Sequence, residues 1–110
     1  MTQLTEMLAL RIHLSERARH GHQPLYEYLV LLAREAGLAG ATAWRGHLGF
    51  GHDGHLTTAK ILQLSEDLPV VIEMVDEAAR IEAFVEQVDG LLAGGLVTVQ
   101  KVMARRYQGR

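Results

Sequence analysis

Within the stretch Thr42–Thr58 lie three histidines and an aspartate, His47, His52, Asp53 and His55, interleaved with four glycines, Gly46, Gly49, Gly51 and Gly54. Two chemistries suit these residue types. Imidazole and carboxylate groups ligate zinc, nickel or copper, which makes His47, His52 and His55 the candidate metal ligands. A structural zinc site wants four ligands in a rigid setting, and this loop holds no cysteine; the metal reading needs loops from several subunits to pool their histidines. The second chemistry is anion binding. Glycine lets backbone amides approach an anion closely and form concave amide surfaces. Arg45, Lys60, Arg105 and Arg106 are the cations that would add charge, with arginine offering a bidentate fork. The run G-x-x-G-F-G at Gly46–Gly51 is not a phosphate loop of the G-K-[ST] kind.

Covalent catalysis finds little to work with. The chain has no cysteine, no G-x-S-x-G and no H-E-x-x-H. Ser15 or Ser65 beside a histidine is no triad without geometry. Glu66 and Asp67 are adjacent, so on an extended chain they diverge and read as turn residues. No enzymatic activity is expected.

The totals set the frame. A chain of 110 residues is one domain, residues 1–110, with one sizeable core. A hydrophobic share of 48% rules out a largely disordered chain. A formal net charge of −2 gives no electrostatic case for nucleic acid as a partner. Met1–Glu6 is polar, the apolar run after it is broken by Arg11, and no uninterrupted apolar segment approaches the roughly 20 residues of a membrane span. The expectation is a soluble, cytoplasmic protein.

The elements that position the loop follow from periodicity. Met7–Leu14 alternates, with Leu8, Leu10, Ile12 and Leu14 on one face and Met7, Ala9, Arg11 and His13 on the other, which predicts a half-buried strand. Ser15–His22, with Arg17, Arg19, His20 and His22, reads as a solvated connection. Pro24 opens a helix whose stripe is Leu25, Tyr28, Leu29, Leu32 and Ala36, and Gly37 ends it. A second strand from Ala41 carries Trp44, read as a packing anchor. After the glycine loop, Ile61, Leu62 and Leu64 form a short apolar alternation. Pro69–Val75 is rich in β-branched residues and predicts a third strand. Asp76 is placed to cap a second helix with Ile81, Phe84, Val85, Val88, Leu91 and Leu92 as its stripe, stopped by Gly94-Gly95. Leu96–Val102 gives a fourth strand, and a basic tail, residues 103–110, follows.

Strand, helix, strand, strand, helix, strand is the order of an α+β, ferredoxin-like βαββαβ sandwich, an antiparallel sheet with both helices on one face. The other sheet face is expected to combine Ala9, Arg11 and His13 with Ala43 and Arg45. A face so mixed suggests contact with further subunits.

Several longer motifs carry a family resemblance. They are P-L-Y-E at Pro24–Glu27, A-R-E-A-G-L-A-G-A-T at Ala33–Thr42, R-G-H-L-G-F-G at Arg45–Gly51 and T-A-K-I-L-Q-L-S-E-D-L-P-V-V-I-E at Thr58–Glu73. The chain from Leu10 to about Val102 resembles a group of small PII-like bacterial proteins without an assigned function, related to PII signalling proteins and to the metal-tolerance CutA proteins. The resemblance implies a ferredoxin-like fold, a homotrimer with its sheets facing inward, and adenine nucleotide binding in clefts between subunits. It implies that the loop of about residues 47–57 is the mobile T-loop, which would regulate a membrane channel, a transporter or an enzyme. Carried onto this sequence, the ligand set is Thr42, Arg45, Gly46, Gly49, Phe50, Gly51, Lys60, Arg105 and Arg106. The loop tip here is H-D-G-H where PII has R-Q-K-G. Gly94-Gly95 is shorter than the loop that holds phosphates in PII, so it is left out of the set. A CutA-like metal protein through His47, His52 and His55, or a trimeric adaptor without a small ligand, are the alternatives.

Overall fold

The computed structural model describes residues 3–59 and 67–108. The expected alternation at Ile61–Leu64 lies outside them, as do Lys60, Ser65 and Glu66. The elements in chain order are β1 (Thr5–Ser15), β2 (Arg19–His20), β3 (Gln23–Pro24), α1 (Leu25–Glu35), β4 (Thr42–Arg45), β5 (Leu48–Gly49), β6 (Thr57–Thr58), β7 (Pro69–Asp76), α2 (Ala78–Val88), a short 3-10 turn (Asp89–Leu91) and β8 (Leu96–Ala104).

β1, β4, β7 and β8 form one sheet in the order β4-β7-β1-β8. Every pair in it is antiparallel. With the two helices this is the α+β, ferredoxin-like architecture, reached because the strand period of two sends one residue set inward. Leu10, Ile12 and Leu14 of β1 meet Val70, Ile72 and Met74 of β7, and α1 and α2 close over them with Leu25, Leu29, Ala33, Ile81, Phe84 and Val88. β1 pairs with β7 only from Leu8 onward, whereas its pairing with β8 begins at Thr5. β1 and β8 therefore run on past β7 as a two-stranded ribbon, and the molecule measures 52 × 27 × 27 Å.

Several expectations change in detail. Ser15–His22 is not a plain connection: Arg19 pairs with Pro24 and His20 with Gln23 in a small hairpin, and the His20 ring stacks on Tyr28 at 3.9 Å. Pro24 is the residue before α1, with extended ψ of 133°, rather than its first helical residue. Ala33, not Ala36, completes the buried stripe of α1. Gly37 ends the helix as expected. Its φ is +79°, its amide donates to the Arg34 carbonyl, and the Leu38 amide reaches back to Ala33, the paired bonds of a Schellman ending.

Asp76 is the last residue of β7 and not a helix cap. Glu77 precedes α2, and no side chain caps that helix. Asp76 is 0% exposed. One of its oxygens accepts the Glu77 amide at 2.7 Å and the other the Ala39 amide at 2.9 Å, so the carboxylate ties the α1–β4 connection to the start of α2. α2 ends at Val88, and Leu91 belongs to the following 3-10 turn, so Gly94 turns the chain into β8 rather than stopping the helix.

The face away from the helices differs from expectation by one residue of register. Thr42 lies opposite Glu73 and Trp44 opposite Val71, whereas Ala43 and Arg45 lie opposite Ile72 and Val70 of the core side. A one-residue shift exchanges the faces of a strand. The open face therefore carries the row Trp44, Val71, His13, Leu96 and the row Thr42, Glu73, Arg11, Thr98. Arg11 and Glu73 form an ion pair of 2.6 Å in it. Trp44 is 46% exposed and, among the described residues, lies outside the core cluster.

Candidate ligand site at the glycine loop

β4 ends where β7 begins, and the glycine loop is fastened there. The Gly46 amide donates to the Pro69 carbonyl at 2.7 Å. A Cβ added to Gly46 or to Gly49 would lie 3.0 Å from Pro69 Cγ. These two glycines pack closely on Pro69, where any Cβ would press on its ring, and the Gly46 amide is already engaged. Beyond them the chain forms a small hairpin rather than an extended loop. Leu48 pairs with Thr58 and Gly49 with Thr57, the Ala59 amide donates to His47, and the Thr57 hydroxyl donates to the Gly49 carbonyl.

The tip is a turn. The Gly54 amide bonds the Gly51 carbonyl, and Gly54 has φ of +73°, which a residue with a Cβ adopts only at a cost. The Asp53 carboxylate accepts the His55 amide at 2.9 Å. That hydrogen bond holds the Asp53 carboxyl below its ordinary value of 3.8; slight desolvation opposes the shift, and the His52 and His55 imidazoles add to it. Leu48, Phe50 and Leu56 are exposed, Phe50 by 72%. His47, Leu48, Leu56, Thr58 and Ala59 line a shallow, mostly apolar groove of about 480 Å³.

The hairpin reaches across the end of the sheet to the turn between α2 and β8. A Cβ added to Gly94 would lie 2.9 Å from His52 Cε1 and 3.3 Å from Nδ1, so the imidazole rests on the bare side of that glycine. Gly94 has φ of +83°, and a Cβ on Gly95 would meet the His13 carbonyl oxygen at 2.9 Å. The Gly94-Gly95 turn, omitted from the expected set because of its length, is thus the element beside the loop tip. The signal for it in the sequence was the paired glycine itself.

The structure separates the expected ligand residues. Gly46, Gly49, Phe50 and Gly51 belong to the hairpin. Arg45 is next to it, but its Nε is paired with Glu16 at 2.8 Å, and Thr42 lies on the open face opposite Glu73. Arg105 and Arg106 follow the far end of β8, nine residues long, which at about 3.4 Å per residue puts them roughly 31 Å from the Gly94 turn. Arg105 lies over the Tyr107 ring at 5.2 Å. Lys60 is outside the described residues. Among the described residues, no three histidine, aspartate or glutamate side chains gather to hold a metal ion, so one chain does not unite His47, His52 and His55 into a metal site.

A family model, DUF190, described as an uncharacterized ACR, matches residues 7–104. The chain belongs to this family. It is 40% identical over 93 residues to a UPF0166 protein of Aquifex aeolicus, covering 84% of this chain and 88% of the relative. A UPF0166 protein of Methanocaldococcus jannaschii is 34% identical over 67 residues, 61% of each chain. Among solved structures, the chain is similar to CPII, a nitrogen regulatory PII-like protein from Thiomonas intermedia K12 bound to ADP, AMP and bicarbonate, with a TM-score of 0.72, 19% identity and coverage of 94% of this chain and 92% of that one. A putative PII-like signaling protein from Thermus thermophilus matches with a TM-score of 0.68, 13% identity and coverage of 94% and 93%. At such identities the likeness establishes the fold, which is PII-like. No helix among the described residues is long and apolar enough to cross a membrane.

Proposed function

We propose that the chain is a PII-like regulatory protein, without catalysis of its own, that senses a small anionic ligand in a cleft completed by a neighbouring subunit. An adenine nucleotide is the ligand, and the glycine hairpin carries the response to a partner protein. The observation that supports this reading is the separation of the two halves of the site. The hairpin and the Gly94-Gly95 turn lie at one end of β8, and Arg105 and Arg106 follow its other end. A ligand held by both must therefore draw them from two chains.

Two further features favour it. The open sheet face, with Trp44, Val71 and Leu96 flanking an Arg11–Glu73 pair, suits the inward face of a homotrimer. The similar CPII was solved with ADP, AMP and bicarbonate. The hairpin exposes Leu48, Phe50 and Leu56, an apolar surface suited to a channel, transporter or enzyme whose contact changes as the hairpin reorganises.

Thermal unfolding with ATP, ADP, AMP, bicarbonate and divalent metals tests the reading. A native-state ligand at 100 times its dissociation constant adds about 2.7 kcal/mol, a shift of several degrees. A shift with an adenine nucleotide is expected. A shift confined to zinc, copper or nickel would replace this reading with a metal protein using His47, His52 and His55, and no shift at all would leave an adaptor.

A further inference from the structure

The hairpin has two supports of different strength. Its base is fixed by the Gly46–Pro69 hydrogen bond and by glycines packed on Pro69. Its tip touches the body of the chain through the His52 ring on Gly94. Both sides of that second contact are shaped for it. On the hairpin, the Gly51–Gly54 bond and the Asp53–His55 bond order the turn that carries His52. On the body, Gly94 offers no side chain, and the turn is tied down beside it: the Gly95 amide donates to Leu92 at 2.8 Å, and Gly95 packs against His13 and Leu14.

We propose that His52 is a latch. Its ring parks the hairpin on the Gly94-Gly95 turn, and any ligand that reorganises the hairpin must first displace it. Single dispersion contacts are small, so a ring on one glycine holds the tip without locking it. A ligand can shift the parked state only through better affinity for the unparked one. The parking itself does not depend on which ligand binds; its use as a switch rests on the nucleotide reading above.

The experiment measures backbone order parameters by NMR across Gly51–His55 in the full chain, for the wild type, His52→Ala and His52→Phe. Phenylalanine keeps a flat ring for Gly94 and removes the imidazole nitrogens. In the wild type the tip should approach the rigid value of about 0.85, with an Overhauser contact from His52 Hε1 to the Gly94 Hα. In His52→Ala it should fall below about 0.6, the range of flexible backbone, and in His52→Phe it should stay near the wild type. Equal values in all three variants would overturn the latch, and so would a Phe variant as loose as the Ala variant. Adding ADP to the same samples tests the reading above separately: loosening or reordering of the wild-type tip supports it, and spectra unchanged by ADP in every variant count against the nucleotide while the latch is judged on order parameters alone.

Discussion

The Asp76 carboxylate and the Ala39 amide are joined by a 2.9 Å hydrogen bond across 37 residues of sequence. One buried carboxylate thereby sets where the chain leaves α1 and enters β4, and so where the glycine hairpin starts. Arg80 adds a second tie, its guanidinium donating to the Gly37 carbonyl at 2.8 Å.

Asp76→Ala should therefore be among the more damaging single changes. It takes the acceptor from both the Ala39 and the Glu77 amides, in two part-buried hydrogen bonds, and hydrogen bonds to charged groups contribute about 1.5–3 kcal/mol each. A loss of about 3 kcal/mol is expected in urea unfolding. Asp76→Asn should cost less, since its amide oxygen can still accept from Ala39. A loss under about 1 kcal/mol for the alanine variant would deny the carboxylate this role.

Gly37 and Gly51 should respond differently to alanine. Gly37 has φ of +79°, whereas a Cβ at Gly51 meets open space and its φ is not positive. Gly37→Ala is expected to cost about 1 kcal/mol, through left-handed strain rather than a clash, and to lower Tm by several degrees. Gly51→Ala should leave Tm within about a degree. Calorimetry on both variants checks the pair, and equal shifts would contradict the assignment.

The turn at the hairpin tip should weaken in acid. The folded carboxyl of Asp53 lies below its ordinary value of 3.8, first through the His55 amide bond. A depressed carboxylate contributes stability that is fully present above the unfolded pKa and is lost as pH falls through the folded one. Protection of the His55 amide should persist at pH 5 and disappear only below about pH 3.8. In Asp53→Asn that acid dependence should be absent. Loss of protection in the wild type already at pH 5 would refute the mechanism.

Assembly through the open sheet face can be tested at Val71, which is half-buried and sits between Trp44 and His13 in one row of that face. Val71→Glu puts a charge in the middle of that face without touching the core. Sedimentation should show the wild type as a trimer and the variant dispersed, with unchanged far-ultraviolet circular dichroism. Identical masses for the two would place any assembly elsewhere.

Local pattern made much of this fold legible. The alternation of Met7–Leu14 fixed the core face of β1, and the β-branched run after Pro69 and the glycine after α1 fell where expected, because each signal is local. The register of β4 did not, since Ala43 and Trp44 have similar claims on an edge strand and only pairing with β7 decides between them. Asp76 resembled a helix cap because capping is read from neighbours, whereas its second partner, Ala39, is far away in sequence. At the candidate site, the glycine loop and the basic tail were both visible. Their separation along β8 and the contact of His52 with Gly94 were not, because both depend on how distant segments meet.

A ligand site shared by two chains is the central claim, and complementation between variants tests it. Gly51→Asp places a negative charge in the hairpin at a position where a side chain meets nothing, and Arg105→Ala with Arg106→Ala removes the tail cations. Each variant alone should bind ADP at least about tenfold more weakly than the wild type, the equivalent of one charge-assisted hydrogen bond. The decisive measurement is a calorimetric titration of ADP into the two variants refolded together. Mixed assemblies contain clefts with an intact hairpin from one chain and an intact tail from another, so a fraction of sites should recover wild-type affinity. If the mixture binds no better than the separate variants, the site is not shared between subunits and the central claim is wrong.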